Sequence, residues 1–468
     1  MALILTGLPV KSMMRTLDPM TNEPNKTENG DFPFNERYAW YVVAVLLFAY
    51  TVSFVDRQIL SLLVQPIKRD LGVSDTQIGL LAGLAFALFY SVLGVPIARL
   101  ADHSNRRVII SVGVAIWSVM TAACGLSKNY WQLFLARVGV GVGEATLSPA
   151  AYSMMADYFP PKKLAKAVGV YCMGLYGGAG LAMLAGSVVV TYVSSSGTVS
   201  LPIIGTVFPW QLTFFIVALP GILVLALMGT VKEPTRRHLF VDGSTKAIAD
   251  KAVPLKAVLS FMSKNRAIII GHFGGFLALG TVISAYLVWV PEFLRRTYDI
   301  PISQAGFIYG IALLIFGTAG PYAGGWLAEK LNEKGYRDAE WRASMIGAGA
   351  MIPLTILTPL APGKISVTVL LCGVTFALSF PQGLAPTILQ LIAPNRMRAQ
   401  LTAVFMFVAV LAGYTVGPAF VAMMTDYFFQ DEAAIRYSLA IVSGVLTPIG
   451  LLFLWYGRKP YAERSDAA

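Results

Sequence analysis

The chain has 468 residues, is 56% hydrophobic and only 13% charged, and has a mean hydropathy of +0.65, which excludes a soluble globular domain of ordinary composition. Its net charge of +11 would suggest a nucleic-acid partner in a soluble protein; here the placement of the charges gives another reason, and no nucleic acid is expected. Cys124, Cys172 and Cys372 each sit inside an apolar run, which argues against a disulfide framework or a metal site and for small packing residues.

Residues 1–35 carry Pro9, Pro19, Pro24 and Pro33 among Asn, Glu and Thr and are expected to form a disordered tail. The opening MALILTGLPV is too short, and lacks the basic start, for a signal peptide. Apolar runs of spanning length then recur at about 40–64, 76–100, 107–126, 130–156, 164–193 and 208–231, and again at 266–291, 303–328, 343–361, 365–391, 399–426 and 434–457. Trp40, Tyr130, Trp131, Trp210, Trp341 and Trp455 lie near the ends of these runs, where amphipathic rings favour the headgroup region. The expected fold is an all-α membrane protein of twelve transmembrane helices, with an N-terminal six-helix half over 36–231, a linker over 232–265, a C-terminal half over 266–457 and a tail over 458–468. Behind Pro254, the residues Leu255, Val258, Leu259 and Met262 repeat at helical spacing, so the linker holds either a short amphipathic helix on the inner leaflet or a plain solvated segment.

Of the 36 Lys and Arg, 26 fall in the N-terminus, the even-numbered loops and the C-terminus, 7 in the odd-numbered loops, and Arg57, Arg99 and Arg137 within spans. The positive-inside rule places both termini in the cytoplasm of a multi-pass cell-membrane protein. An internal repeat supports two pseudo-symmetric halves: ARLADHSNRR after span two and GWLAEKLNEK after span eight align at a constant offset, acid with acid and Asn105 with Asn332. Such repeats build many secondary transporters.

Four ionisable residues inside spans one and four are costly and need a reason. Arg137 and Glu144 are seven residues apart in span four, about two helical turns, so they share a face without making direct contact. Asp56 and Arg57 lie past the middle of span one and, being adjacent, point about 100° apart, so one of them faces the interior cavity. No nucleophile–base pair, metal constellation or nucleotide loop is present in the sequence. GVGVGE lies inside an apolar span with no preceding strand and is discarded as a dinucleotide loop. Gly139 and Gly143 are read as a close-packing GxxxG.

Twelve spans, a long central linker and the loop repeated after spans two and eight resemble the major facilitator superfamily over nearly the whole chain. Departures are Ala98 for the first loop Gly, His103 for the basic residue, and Asn105 and Asn332 for the second Gly; Asn tolerates a left-handed turn best, so the turn is expected to persist. The resemblance implies gating roles for Asp102, Arg106, Arg107 and Glu329, against a plain solvated turn. Asp56-Arg57 in SFVDRQIL together with Arg137 and Gly143-Glu144-Ala145 are similar to the spinster branch, which implies a lysolipid or sphingolipid-phosphate substrate. The glycines Gly174, Gly177, Gly178 and Gly180 lack the proline of the antiporter motif, so antiport is not established.

If spans one and four pack together as the family fold implies, Asp56, Arg137 and Glu144 form a buried network of two acids and one base, with the proton as coupling ion and no other cofactor. Asp56 and Glu144 are the proton-coupling candidates. Arg137 and Arg57 are the candidates for an anionic headgroup, which a guanidinium binds bidentately; the alternative is a permanent salt-bridge cluster. The C-terminal half contributes Tyr286, Trp289, Tyr309, Phe380, Gln382, Gln390 and Tyr414 but no mid-span charge apart from His272, which reads as a packing histidine before a titrating one. A cavity charged on one wall and aromatic on the other suits an amphipathic molecule, provided these residues face inward. The expected protein is a monomeric proton-coupled transporter of an amphipathic anionic lipid, surrounded by membrane lipids. A carrier of small organic anions or drugs is the alternative; a membrane-embedded lipid enzyme or a sensor without flux is remote.

Overall fold

In the computed structural model, residues 35–159, 167–168, 170–194, 199–201, 205–234, 255–394 and 397–465 are described. The N-terminal half comprises α1 (Glu36–Leu62), α2 (Val64–Leu71), α3 (Asp75–Ala82), α4 (Leu84–His103), α5 (Arg106–Cys124), α6 (Tyr130–Glu144), α7 (Leu147–Tyr158), α8 (Gly174–Ser194) and α9 (Pro209–Thr230). Between α8 and α9 lies an unanticipated antiparallel hairpin, β1 (Val199–Leu201) and β2 (Gly205–Val207), with Ser200 opposite Thr206. After α10 (Leu255–Lys264), the C-terminal half holds α11 (Arg266–Tyr298), α12 (Ile302–Ala312), α13 (Thr318–Glu333), α14 (Ala339–Leu357), α15 (Lys364–Ser379), α16 (Leu384–Ile392), α17 (Arg398–Val408), α18 (Tyr414–Met423) and α19 (Ile435–Ser465). Residues Leu313–Gly317 and Ala409–Gly413 are π-helical turns joining α12 to α13 and α17 to α18.

Ten helices among the described residues are long and apolar enough to cross a membrane. The other two expected spans correspond to α6 with α7, interrupted at Ala145 and Thr146, and to α14. Span ten is likewise interrupted, between Ser379 and Leu384. Polar residues in the short loops start the helices: the side chains of Asn35, Asn105 and Asn129 accept from Tyr38, Val108 and Gln132 main-chain N–H groups, and Ser74 forms a capping box with Gln77, each satisfying N–H groups that the first helical turn leaves open. This corrects the reading of the repeated loop. Asn105 is extended (φ −69°, ψ 110°) because it caps α5, Asn332 lies within α13, and the left-handed residue of the second loop is Gly335 (φ 84°).

Of the residues expected to gate, Arg106, Arg107 and Glu329 make their contacts within one half. Arg106 is buried; its Nη1 donates to Asp157 Oδ2 on α7 (2.5 Å) and to the Ser153 hydroxyl (2.9 Å), and its Nε to Glu233 Oε1 after α9 (2.7 Å). The Arg107 main-chain N–H donates to Glu233 Oε2 (3.0 Å) and its guanidinium to the Gly229 carbonyl (2.7 Å). Both arginines therefore staple α5 to α7 and α9 instead of bridging the halves. Glu329 is exposed and lines a cavity of about 330 Å³ with Asn332, Glu340 and Thr387, entirely within the C-terminal half. The side chain of Asp102 lies outside the described residues. On the same face, α10 packs Val258 fully inward, and Arg464 near the end of α19 bonds Asn265 and stacks on Phe261. The apolar side of α10 thus rests in part on protein, while Leu259 stays exposed.

At the opposite, far face, charged residues join the halves. Asp75 opens α3, where the helix dipole favours an anion; it is fully buried and receives Lys68 Nζ (2.6 Å) and both Nη atoms of Arg296 on α11 (2.5 and 2.8 Å). Arg296 also pairs with Glu292 (2.7 Å), Lys68 with Glu432 (2.5 Å), and Gln65 donates to Glu292 (2.7 Å). The Thr76 hydroxyl and main-chain N–H both donate to Asp426 Oδ2. Removing one partner of such a buried cluster leaves charges uncompensated, at about 3–5 kcal/mol. Arg296→Ala is therefore expected to lower stability in a denaturant titration in detergent by that order, whereas Arg295→Ala, at the half-exposed position beside it, is expected to change it by about 0–1 kcal/mol; equal effects would refute the clasp.

Candidate substrate and coupling site

The four ionisable residues named from spans one and four meet where α1, α4 and α6 cross. Arg57 has its Nε and Nη2 atoms both 2.6 Å from Glu144 Oε2. Its guanidinium lies 4.3 Å from the centroid of the Phe86 ring, 4.9 Å from Phe54 and 5.2 Å from Tyr90, an arrangement in which ring faces stabilise the cation. Glu144 is fully buried and is the last residue of α6. The negative end of the helix dipole disfavours a carboxylate there, so Arg57 offsets both the dipole and the desolvation.

Arg137 does not take the place expected for it. It is buried, and its Nη1 donates to the main-chain carbonyl of Asp56 (2.8 Å), pinning α6 to α1. No ion pair of Arg137 with Asp56 or Glu144 is formed among the described residues. The cation of the network is Arg57, because the turn of about 100° between neighbours on a helix carries Asp56 into the packed interior and Arg57 to the cavity side. The Asp56 carboxyl oxygens, Glu144 Oε1 and Arg137 Nε have no hydrogen-bond partner among the described residues. Gly143 turns the other side of α6 to α5, where a Cβ would lie 2.6 Å from the Trp117 amide nitrogen, in keeping with close helix packing.

A chamber of about 30 Å³ adjoins Arg57; Gln58, Ser61 and Phe86 line it from the N-terminal half, and Ser284, Leu287 and Tyr414 from the other. Of the C-terminal residues expected to form an aromatic wall, Tyr414 is the one that reaches it. Tyr286 donates to the Thr355 carbonyl (2.7 Å) and Trp289 to the Pro418 carbonyl (2.9 Å), and both are buried in their own half. Tyr309 is buried as well, Phe380 packs over Gly320, Gly324 and Gly347, Gln382 is half-buried away from the chamber and Gln390 is exposed. His272 is a packing residue: its Nε2 lies 2.8 Å from the Ala385 carbonyl amid Phe276, Phe405 and Trp341.

An aromatic cluster stands in the N-terminal half and reaches the chamber through Phe54, and residue type alone did not locate it. Tyr50 packs edge-on to Phe54 (5.1 Å between centroids) and stacks on Tyr171 (4.7 Å), which meets Tyr152 (5.4 Å). Tyr50, Phe54 and Arg57 are spaced four and three apart, one face of a helix, a signal that could have found them.

A model of the Major Facilitator Superfamily matches residues 46–414. The chain belongs to that superfamily. As a superfamily member it is a multi-pass secondary transporter, not an enzyme. It is 28% identical over 91% of its length to an MFS-type efflux pump of Mycolicibacterium smegmatis, covering 94% of that protein, and 25% identical over 89% to a probable L-galactonate transporter of Escherichia coli, covering 88%. Among solved structures, the inward-facing, unoccupied crystal structure of a bacterial homolog to the human lysosomal transporter Spinster superposes with a TM-score of 0.74 at 28% identity, covering 92% of this chain and 98% of that one. The resemblance to the spinster branch seen in the two charged motifs therefore extends to the fold.

The two arginines of this transporter are separable. Arg137→Ala unpins α6 from α1 and is expected to lower stability by about 1.5–3 kcal/mol, the order for losing a hydrogen bond from a charged group. Arg57→Lys keeps a cation but loses the paired N–H donors, and is expected to retain the fold while weakening anion binding. Thermal unfolding alongside ligand binding for both variants tests the assignment; the reverse pattern would refute it.

Proposed function

We propose that the protein is a proton-coupled transporter moving an amphipathic anionic lipid, of lysophospholipid or sphingosine-phosphate type, across the cell membrane by alternating access. The observation that carries this reading is the state of Arg57: one guanidinium, ringed by three aromatic side chains, is held by Glu144 and borders a chamber shared by both halves. Protonation of Glu144 would remove its claim on Arg57, whose fork then suits a phosphate or carboxylate headgroup. Asp56, buried without a hydrogen-bond partner among the described residues, is the second proton site, because an unpaired buried charge is costly and proton uptake removes it. The Glu144 carboxylate and the headgroup thus compete for Arg57, and proton uptake by Glu144 favours the headgroup.

The Tyr50, Phe54, Tyr152 and Tyr171 cluster beside it suits an apolar chain. The far face is clasped by Asp75, Lys68 and Arg296; with both termini cytoplasmic, as the charge distribution supports, this reading has substrate enter the chamber from the cytoplasm. A small organic anion is the second reading, favoured by the chamber's size of about 30 Å³ and by the similarity to a probable L-galactonate transporter.

Reconstitution into liposomes with an imposed pH gradient tests both readings, using anionic lysolipids, sugar acids and cationic drugs. Lysolipid flux driven by the gradient is expected. Asp56→Asn and Glu144→Gln are each expected to abolish gradient-driven flux while leaving the protein folded; unchanged pH dependence in both variants would sink the proton role, and flux of sugar acids alone would favour the second reading.

A further inference from the structure

The last span but one crosses the chamber as a broken helix. Residues Ala409–Gly413 form a π-helical turn, and Tyr414 is the first residue after it. A π-turn holds one residue more than a regular turn, so it rotates the helix after it by about 100° relative to the helix before it. It also loosens main-chain carbonyls from the regular ladder, and these need other donors.

The π-turns at Leu313–Gly317 and Ala409–Gly413 meet this need differently; a third π-helical stretch, Met424–Phe429, ends the same span as the latter. At Leu313–Gly317 the donor comes from the same span: the Thr318 hydroxyl bonds the Leu314 carbonyl (2.5 Å). At Ala409–Gly413 it comes from another helix. The Ser284 hydroxyl on α11 donates to the Gly413 carbonyl at 2.6 Å, and shares its proton with Thr281 O of its own helix at 2.9 Å. The crossing is close enough for this because it is made of main chain: a Cβ on Gly413 would lie 3.6 Å from the Gly280 carbonyl carbon. On its other side, the backbone of α18 abuts the N-terminal half, where a Cβ on Gly79 would lie 2.9 Å from the Pro418 carbonyl oxygen.

We infer that Ser284 is a positioning residue: its bond to the Gly413 carbonyl holds the π-turn in the register that brings Tyr414 to the Arg57 chamber, where Tyr414 is the contact of the C-terminal half for the anion. The role in anion binding rests on the proposed function; the setting of the register does not. Ser284 lines the chamber itself, but its one proton is already committed to the two carbonyls. It therefore acts through Tyr414.

The register is read without any substrate. In the full chain with Cys124, Cys172 and Cys372 replaced by Ser, Tyr414→Cys is placed in nanodiscs and its labelling rate by a small charged thiol reagent is measured with and without Ser284→Ala. Alanine is the strongest helix former, so α11 is expected to persist, and thermal unfolding checks this. Losing a hydrogen bond of ordinary net strength is expected to change the rate about five-fold; an unchanged rate in a folded variant would overturn the inference.

A binding cycle with lysophosphatidic acid, in a background that keeps the native cysteines, supplies the second readout. Ser284→Ala is expected to weaken binding about five-fold beside Tyr414 and to have no further effect in Tyr414→Phe, whereas a penalty that persists in Tyr414→Phe would overturn positioning through Tyr414. Absence of lipid binding by the unmodified protein would defeat the lipid reading and leave the labelling rate to decide the role of Ser284.

Discussion

A carboxylate at the carboxyl end of a helix, inside an apolar protein, is held in place by a single guanidinium. Glu144 suffers from burial and from the negative end of the α6 dipole together, and Arg57 answers both. Much of the N-terminal half is arranged to make that answer available. The α1 helix turns Asp56 inward and Arg57 toward the cavity, α4 supplies Phe86 and Tyr90 beneath the guanidinium, and Arg137 fixes the distance between α1 and α6 by holding the Asp56 carbonyl. The pair is stable only as long as neither partner has a better offer, which is what a competitive carrier site requires.

Much of this was legible in the chain, for physical reasons. A run of some twenty apolar residues has few alternatives to a membrane helix, so the spans and the repeat between halves stood out, and the cost of charge in such runs marked Asp56, Arg57, Arg137 and Glu144. Spacing fixed which of them share a helix face. It could not fix how far α1 is rotated against α6, and that rotation decides whether Arg57 or Asp56 meets Glu144. The interruption at Ala145 and Thr146 did have a signal, since Pro149 has no N–H to give the Ala145 carbonyl four residues back. The aromatic residues of the C-terminal half misled because Tyr286 and Trp289 can bury their rings and still satisfy their polar atoms on the carbonyls of Thr355 and Pro418. Composition reports polarity, not direction.

The two faces of the molecule are organised by different bonds. Near the linker, Arg106 with Asp157 and Glu233, and Asp338 with Arg342 and Arg458, each stiffen one half. At the far face, Asp75, Lys68, Arg296 and Glu432 cross from one half to the other. Stiffness within halves and reversible adhesion between them are the two properties that rocking of repeat units requires. The chain achieves both with the same few residue types and differs only in which side of the molecule they occupy.

Both ends of the linker are moored, Glu233 to Arg106 and Arg107 of one half, and Asn265 to Arg464 of the other. At each described end the linker is therefore bonded to its own half, and ionic contacts that pass between the halves lie elsewhere, at Asp75, Lys68, Arg296 and Glu432 on the far face.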